Sequence, residues 1–450
     1  HLGGARTALS NYLFTKNHGG KFLVRIEDTD HKRSKKEYTD QICQSLDWLG
    51  LKWDEKLAYQ SANTSVHKSY INTLLGDNKA YMCFASKEEL DGIRKDSNSF
   101  HYPGIWRNRD DSDINSEIKK GSPFTVRLKT PNDGKTNFKD LIYGNISVSN
   151  NEIDDFIISR SDGSPVYNFT NVIDDNSMEI THVIRGEDHI SNTPKQILIY
   201  RALGFRVPIF AHLPMILGED KKRLSKRHGA AGVNEYESMG YQPDALLNYL
   251  ALLGWNPGTE EEIFDLGSLI KNFDIRKVQK KSAIFDRKKF NWISSQHLMK
   301  EDSKKVLNRL AIIDPEWGKS NRQDYLIKVI NLMKPRSNSL TDLIDQSQYF
   351  FSSPKKFNST QLKKIWKKDT AEKVIELKSV LESINSWVAI ELESNFKSFT
   401  YKRGIGLGKV MQPMRFLICG SLQGPSLFDL MELIGKEESL KRINYAINEF

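Results

Sequence analysis

Glycines 3 and 4 open an apolar-striped helix, and an extended run follows within a few residues. After His1-Leu2-Gly3-Gly4, residues Ala5, Ala8, Leu9, Tyr12 and Leu13 fall on one face at helical spacing. Asn17-His18-Gly19-Gly20 stops that helix, Lys21 to Ile26 reads as a strand, and Glu27-Asp28-Thr29-Asp30 ends it. A helix entered through glycine backbone presents unpaired N–H groups and the positive end of its dipole, which favour phosphate, and His1 adds a donor there. Helix, strand and helix over residues 1–80 predict part of a doubly wound nucleotide fold. Tyr38, Ile42 and Leu46 are the expected buried stripe of the second helix, and Gly50 its stop.

Far along the chain lies Gly218-Glu219-Asp220-Lys221-Lys222-Arg223-Leu224-Ser225-Lys226-Arg227-His228-Gly229. A basic loop bounded by glycines can move and can present several cations to one polyanion, for which the triphosphate of ATP is the candidate. Lysine supplies a compact charge on a long stem, and a serine hydroxyl can hold a phosphate oxygen. Taken alone, such a run reads more plainly as a solvated loop or a patch for nucleic acid backbone.

The two stretches together resemble the HIGH and KMSKS signatures of class I aminoacyl-tRNA synthetases. His1-Leu2-Gly3-Gly4 stands for the first and Arg223-Leu224-Ser225-Lys226-Arg227 for the second. Four neighbouring words are Gly3-Gly4-Ala5-Arg6-Thr7-Ala8, Arg25-Ile26-Glu27-Asp28-Thr29-Asp30, Val183-Ile184-Arg185-Gly186-Glu187-Asp188-His189 and Leu224-Ser225-Lys226-Arg227-His228-Gly229. They are similar to the bacterial-type glutamyl-tRNA synthetase family. The resemblance runs through nearly the whole chain and is strongest up to about residue 300.

The resemblance implies an α/β Rossmann-type doubly wound domain carrying an inserted acceptor-binding domain, followed by an all-α anticodon-binding region. Its parts would be residues 1–80 and 166–215 for the two halves of the catalytic domain and 81–165 for the insertion. Residues 216–300 would form the stem-contact region with the basic loop, and 301–450 the anticodon-binding helices. The family's strand before HIGH, with an Arg and a Ser for the amino acid, is absent from this sequence. The chain opens on His, not Met, so residues are expected to precede it.

The implied reaction has two steps. A glutamate carboxylate attacks the α-phosphorus of ATP, and a ribose hydroxyl of the terminal adenosine of tRNA then attacks the activated carbonyl. By resemblance, His1, Gly3 and Gly4 hold ATP, with His189 flanking the adenine and Leu224, Ser225 and Lys226 of the basic loop also binding ATP. Lys226 stabilises the α-phosphate and the leaving pyrophosphate, and Arg223 and Arg227 support the loop; Arg223 replaces the first lysine of KMSKS. Glutamate falls to Glu27, Tyr167, Asn171 and Arg185: an anion for the α-amino group, a cation for a carboxylate, and two pocket walls. Plainer readings exist for three of these: Glu27 capping a helix, Arg185 pairing with Asp188, Tyr167 lying in the core. Arg33 is expected to face tRNA and Arg336 to read an anticodon base. The implied partners are L-glutamate, ATP with Mg2+ and tRNA(Glu), in a cytoplasmic monomer. A non-discriminating enzyme that also charges tRNA(Gln) is the alternative, and a silent RNA-binding relative is another.

Local patterns fill in the rest. Phe124 to Leu128 and Val166 to Phe169 read as strands, with Ser161 to Pro165 a turn. Thr181 to Arg185 is a further strand, so Arg185 and Glu187 sit near a strand end, where such folds bind ligands. Thr193 caps a helix with Pro194 at its first position and Gly204 closing it. Leu246, Leu247, Leu250 and Leu253 start a helical connector. Leu427, Leu430, Met431 and Ile434, then Leu440, Ile443 and Ile447, are stripes of a helical bundle. Some family members carry zinc on Cys-x-Cys and Cys-x-His in the insertion. Here Cys83-Phe84-Ala85 retains one ligand, so no zinc is expected and Cys83 reads as a small buried hydrophobe.

Composition adds bounds. A net charge of +9 suits an acidic partner such as RNA. Three scattered cysteines, Cys43, Cys83 and Cys419, argue for a reducing compartment and against a disulfide framework. No apolar run reaches the roughly 18 residues of a membrane helix.

Overall fold

The opening helix spans Leu2–Asn17, buries Leu2, Ala5, Leu9 and Leu13, and ends where Gly19 takes a left-handed φ of 67°. The computed structural model describes residues 1–29, 34–97, 102–225 and 232–449. They fall into two units, residues 1–233 with 247–286, and residues 234–246 with 287–450.

The first unit is built on a four-stranded mixed sheet. Its spatial order is Gly144–Ser149, Lys135–Asp140, Ile209–Leu213 and His182–Gly186. The last three run parallel and the first is antiparallel. In the ladder Asp140 faces Phe210 and Arg185 faces His212. Side chains two apart on a strand share a face, so Asp140, His212 and Arg185 line up across three neighbouring strands near their C-terminal ends. A separate antiparallel sheet orders Ala80–Cys83, Thr125–Leu128 and Ile157–Ser159. One apolar cluster joins Val126, Leu128 and Ile158 of that sheet to Phe169, Val172 and Ile173 of one helix and Leu198 and Ile199 of another.

Four sequence expectations need correction here. Val166 to Phe169 is not a strand: a helix runs Tyr167–Ser177 with Val166 as its cap. Phe169, Val172 and Ile173 are buried at three- and four-residue spacing, and a four-residue apolar word is too short to separate that period from alternation. Of Lys21 to Ile26, only Arg25–Ile26 closes a ladder, parallel to Ala58–Tyr59; upstream, Phe22 O merely accepts from Asp54 N–H. In the second helix, Lys36–Trp48, Tyr38 is 50% and Ile42 48% exposed, and Leu46 alone of the expected stripe is buried. That helix is anchored by its last turn and the residues after it, Leu46, Leu49 and Leu51, so its first turns carry apolar groups in the open. Thr193 is the first residue of the helix Thr193–Leu203, behind Asn192 at the cap, and its hydroxyl is used elsewhere, as described below.

Cys83 is buried, with its sulfur 3.2 Å from the Tyr102 hydroxyl, which also accepts from the Trp106 N–H. The Arg127 guanidinium lies 3.7 Å from the centre of the Tyr102 ring.

The second unit holds no strand among its described residues. Its core runs from Val306 and Leu310 through Val329, Ile330, Met333, Leu340, Leu343, Val374, Leu377, Phe396 and Leu417 to Leu430, Met431, Ile443 and Ala446. Each such aliphatic side chain contributes about 1.5–3 kcal/mol by leaving water. The stripes on Leu427–Ile434 and Lys436–Glu449 face this core, with Arg442 buried among them on hydrogen bonds to the carbonyls of Tyr349 and Ile418. Gly318 has φ 64°, and a Cβ there would run into Leu326 and Phe351. Gly404 has φ 62° but open space around it. Gly318→Ala should therefore cost about 2–4 kcal/mol and Gly404→Ala about half that. Denaturant unfolding of the two variants checks the order, and equal losses would place the cost in the backbone angle alone.

Candidate active site

In the first unit, Glu27 and Arg185, two of the residues the sequence singled out, lie at or just beyond the C-terminal ends of parallel strands. The His1 ring caps the opening helix, its Nδ1 accepting from Gly3 N–H at 3.3 Å. One helix-terminal N–H is thereby already satisfied by His1 itself. Gly4 is exposed, with nothing within 4 Å of where a Cβ would project, so a phosphate can reach the backbone. Asn11 of that helix donates to Ile184 O, which ties the helix to the strand of Arg185.

Arg185 does not pair with Asp188. Its Nε donates to His212 Nε2 at 3.2 Å and its Nη2 to Thr193 Oγ1 at 2.8 Å. Burial depresses its pKa, opposed by the attraction of Tyr167, Asp175, Tyr200 and Glu27. Those four groups therefore lie within electrostatic reach of the guanidinium.

Tyr167 is 38% exposed and is not a core residue. Nδ1 of His189 lies 3.3 Å from Tyr167 Oη and 3.3 Å from Asn192 Nδ2. Burial and the nearby Arg185 hold the His189 pKa down, so its ring is neutral near pH 7. Asn171, one turn beyond Tyr167, is buried, and its Oδ1 accepts from Gln60 Nε2 at 3.3 Å and Arg25 Nη2 at 3.5 Å.

Glu27 caps no helix. It meets Arg25 at 3.4 Å, and loss of solvent raises its pKa in spite of that contact. Arg25 in turn meets Asp175 at 2.8 Å. Burial works against the Arg25 charge, but Asp175, Glu27 and Asp174 outweigh it. Asp174, fully buried, accepts from Gln60, Asn63 and His67, at 2.8, 2.9 and 2.8 Å. Behind Glu27 and Asn171 thus stands a buried polar network.

The basic loop starts as a tight turn. Gly218 N–H donates to Lys222 O, Lys221 sits at φ 58°, and Leu224 is buried with its N–H on Ile216 O. Arg223 is exposed and approaches Asp188 at 3.7 Å, which brings the base of the loop to the strand end that carries Arg185. Ser225 follows, half-buried. Lys226, Arg227 and Arg33 lie outside the described residues. Arg336 belongs to the second unit, exposed at the end of the turn Lys334–Arg336.

Sequence reasoning missed the residues behind the pocket: Asp140, His212 and Thr193 around Arg185, and Arg25, Gln60, His67, Asp174 and Asp175 around Asn171 and Glu27. Arg25 was legible, since it stands in the same word as Glu27. Asp140 and His212 lie 45 and 27 residues from Arg185 in the chain, and only the sheet pairing joins them.

Among the described residues no group of three or more His, Cys, Asp or Glu is arranged to hold a metal ion, and no helix is long and apolar enough to cross a membrane.

Residues 1–292 match the family described as tRNA synthetases class I (E and Q), catalytic domain, and residues 297–447 match an anticodon binding domain. The chain is 41% identical over 462 residues to glutamate--tRNA ligase 1 of Caldanaerobacter subterraneus subsp. tengcongensis, covering 99% of this chain and 95% of that protein. It is 41% identical over 458 residues to glutamate--tRNA ligase of Geobacter sulfurreducens, covering 99% and 96%. A crystal structure of a glutamate tRNA ligase from Elizabethkingia meningosepticum in complex with its amino acid superposes with a TM-score of 0.89 at 35% identity, over 100% of this chain and 96% of that one. With both of its parts matched and full-length relatives well above chance identity, this chain belongs to the class I tRNA synthetases of the E and Q group.

Proposed function

We propose that this chain is a glutamate--tRNA ligase, forming glutamyl-adenylate from L-glutamate and ATP and passing the glutamyl group to the terminal adenosine of tRNA(Glu). The observation that carries this reading is the half-buried Arg185 at a strand end, within electrostatic reach of Tyr167 and Glu27, in a chain about 40% identical to ligases of that name.

The chemistry asks for placement and charge, not for a protein nucleophile. A glutamate carboxylate oxygen bonds to the α-phosphorus as the bond to the pyrophosphate oxygen breaks. A ribose hydroxyl then attacks the acyl carbon and adenylate leaves. Both steps are accelerated by holding the reacting atoms together and by stabilising charge on phosphate oxygens. Glu27 receives the α-ammonium group and Arg185 a carboxylate. Tyr167 and Asn171 wall the pocket, and His189 flanks the adenine. The glycine-opened helix, with His1, Gly3 and Gly4, receives ATP, which enters with Mg2+. Leu224 anchors the loop whose Ser225 and Lys226 meet the phosphates, while Arg223 and Arg227 flank them. Arg33 and Arg336 contact tRNA.

Glutamate-dependent ATP–pyrophosphate exchange, run with and without purified tRNA(Glu) and tRNA(Gln), tests the reading. Exchange that requires glutamate and is not supported by glutamine is the expected result, and the tRNA that supports charging fixes the specificity. Intact tRNA binding with no exchange under any of these conditions would overturn the proposal in favour of an RNA-binding role.

A further inference from the structure

A guanidinium has a side edge, Nε with Nη2, and an end edge, Nη1 with Nη2. In Arg185 the side edge is already spent. Nε donates to His212 Nε2 at 3.2 Å and Nη2 to Thr193 Oγ1 at 2.8 Å and, at 3.5 Å, to His189 O, while Nη1 has no hydrogen bond among the described residues. Nη1, on the end edge, is what remains for a carboxylate.

The side edge is held in one way only. Arginine is a donor without exception, so His212 Nε2 must accept. His212 Nδ1 lies 2.7 Å from Asp140 Oδ2. Burial pushes the Asp140 carboxyl up, but hydrogen bonds from His212 and from the N–H groups of Tyr143 and Ile142 outweigh it and keep it below the usual carboxylate range. An ionised carboxylate only accepts, so Nδ1 carries the proton and His212 is the neutral Nδ1–H tautomer. Both side chains are fully buried, and the His212 ring stacks at 9° against Phe210, which also lies under the Arg185 guanidinium. Nothing in the arrangement lets the imidazole turn over without losing both bonds.

We infer that Asp140 and His212 are positioning residues for the known type of reaction: they set the His212 tautomer that pins the side edge of Arg185 and so aim its end edge at a carboxylate of the substrate. The inference rests on the reading of Arg185 as a cation for glutamate.

The backbone makes a clean variant possible. Asp140 Oδ1 accepts from Ile142 N–H at 2.9 Å and from Tyr143 N–H at 2.8 Å. In Asp140→Asn those two donors keep the amide oxygen, and the NH2 faces His212 Nδ1. His212 must then accept at Nδ1 and carry its proton on Nε2, donor against the Arg185 donor. Thr193 Oγ1, 3.1 Å from Nε2, can accept that proton, but Arg185 Nε then loses its acceptor, and a buried charged donor left without one costs enough to expect a glutamate KM roughly 10- to 100-fold higher. The KM for ATP should stay within about twofold, since the glycine-opened helix is untouched. His212→Phe should behave like Asp140→Asn, and His212→Gln, whose amide oxygen can reach the Nε2 position, should recover much of the loss.

Nitrogen-15 NMR of the imidazoles reads the tautomer without any assay of activity: Nδ1–H in the natural protein, Nε2–H in Asp140→Asn. Protonated Nε2 in the natural protein would overturn the inference even if every variant failed to fold. So would an unchanged glutamate KM in Asp140→Asn and His212→Phe while Arg185→Ala raises it. An unchanged KM in Arg185→Ala as well would remove Arg185 from the pocket, which is a failure of the functional reading and not of the tautomer argument.

Discussion

Arg185→Ala is expected to raise the glutamate KM roughly 10²- to 10³-fold, because truncating one side of a desolvated charge pair leaves the other charge without a partner. The direction follows from where the guanidinium sits. Burial lowers its pKa against the pull of Tyr167, Asp175, Tyr200 and Glu27, so it is a charge kept at a cost with several groups in electrostatic reach. The variant also frees His212 Nε2 and Thr193 Oγ1, which can bond each other at 3.1 Å, so the fold should lose little. Steady-state charging with glutamate varied at saturating ATP measures the effect. A glutamate KM within threefold of the natural protein would show that Arg185 serves the sheet and not the substrate.

The second large effect is expected at Lys226. Lys226→Ala should lower adenylate formation about 10²- to 10³-fold, the scale of removing one preorganised group that meets developing charge. Binding of tRNA should change by less than about threefold, since one cation among many contributes little to a polyanion contact. Lys226 lies outside the described residues, but the base of its loop does not. Leu224 is buried and bonded to Ile216 O, and Arg223 leans on Asp188 beside the strand of Arg185. Single-turnover adenylate formation and equilibrium tRNA binding, measured on one preparation, separate the two roles. Equal losses in both would make Lys226 an RNA contact.

Several parts of this molecule were legible before the structure, for physical reasons that can be named. The opening helix was, because glycine stops and a wide apolar face are local signals. Arg185 was, because it stands in a strand word beside a turn, and the ends of parallel strands are where such folds bind ligands. The helical second unit was, because its period of three and four persists over long stretches. The failures have equally plain causes. Val166 to Phe169 offered too few residues to distinguish two periods. Tyr38 and Ile42 have the spacing of a buried face, yet spacing states only that residues share a side, never that anything covers it. Asp140 and His212 carried no signal at all: neither has a local pattern, and they reach Arg185 through strand pairing fixed by the whole sheet. Single words thus marked the candidate groups for the substrate, while the buried groups bonded to them became visible only with the topology.

The helix Tyr167–Ser177 carries Tyr167 and Asn171 one turn apart, and then Asp174 and Asp175, all toward one side. Tyr167 reaches His189, Asn171 and Asp174 share Gln60, and Asp175 meets Arg25. A helix advances about 100° per residue, so one residue inserted between Tyr167 and Asn171 would swing one part of that wall away from the other by more than a quarter turn. Insertions elsewhere in the unit can be absorbed by loops, whereas this segment does not tolerate a change of length. In a collection of random insertions and deletions, the eleven residues of this helix should stand out as a stretch where every single-residue change in length abolishes charging, while substitution is accepted only at its far end, at Asn176 and Ser177.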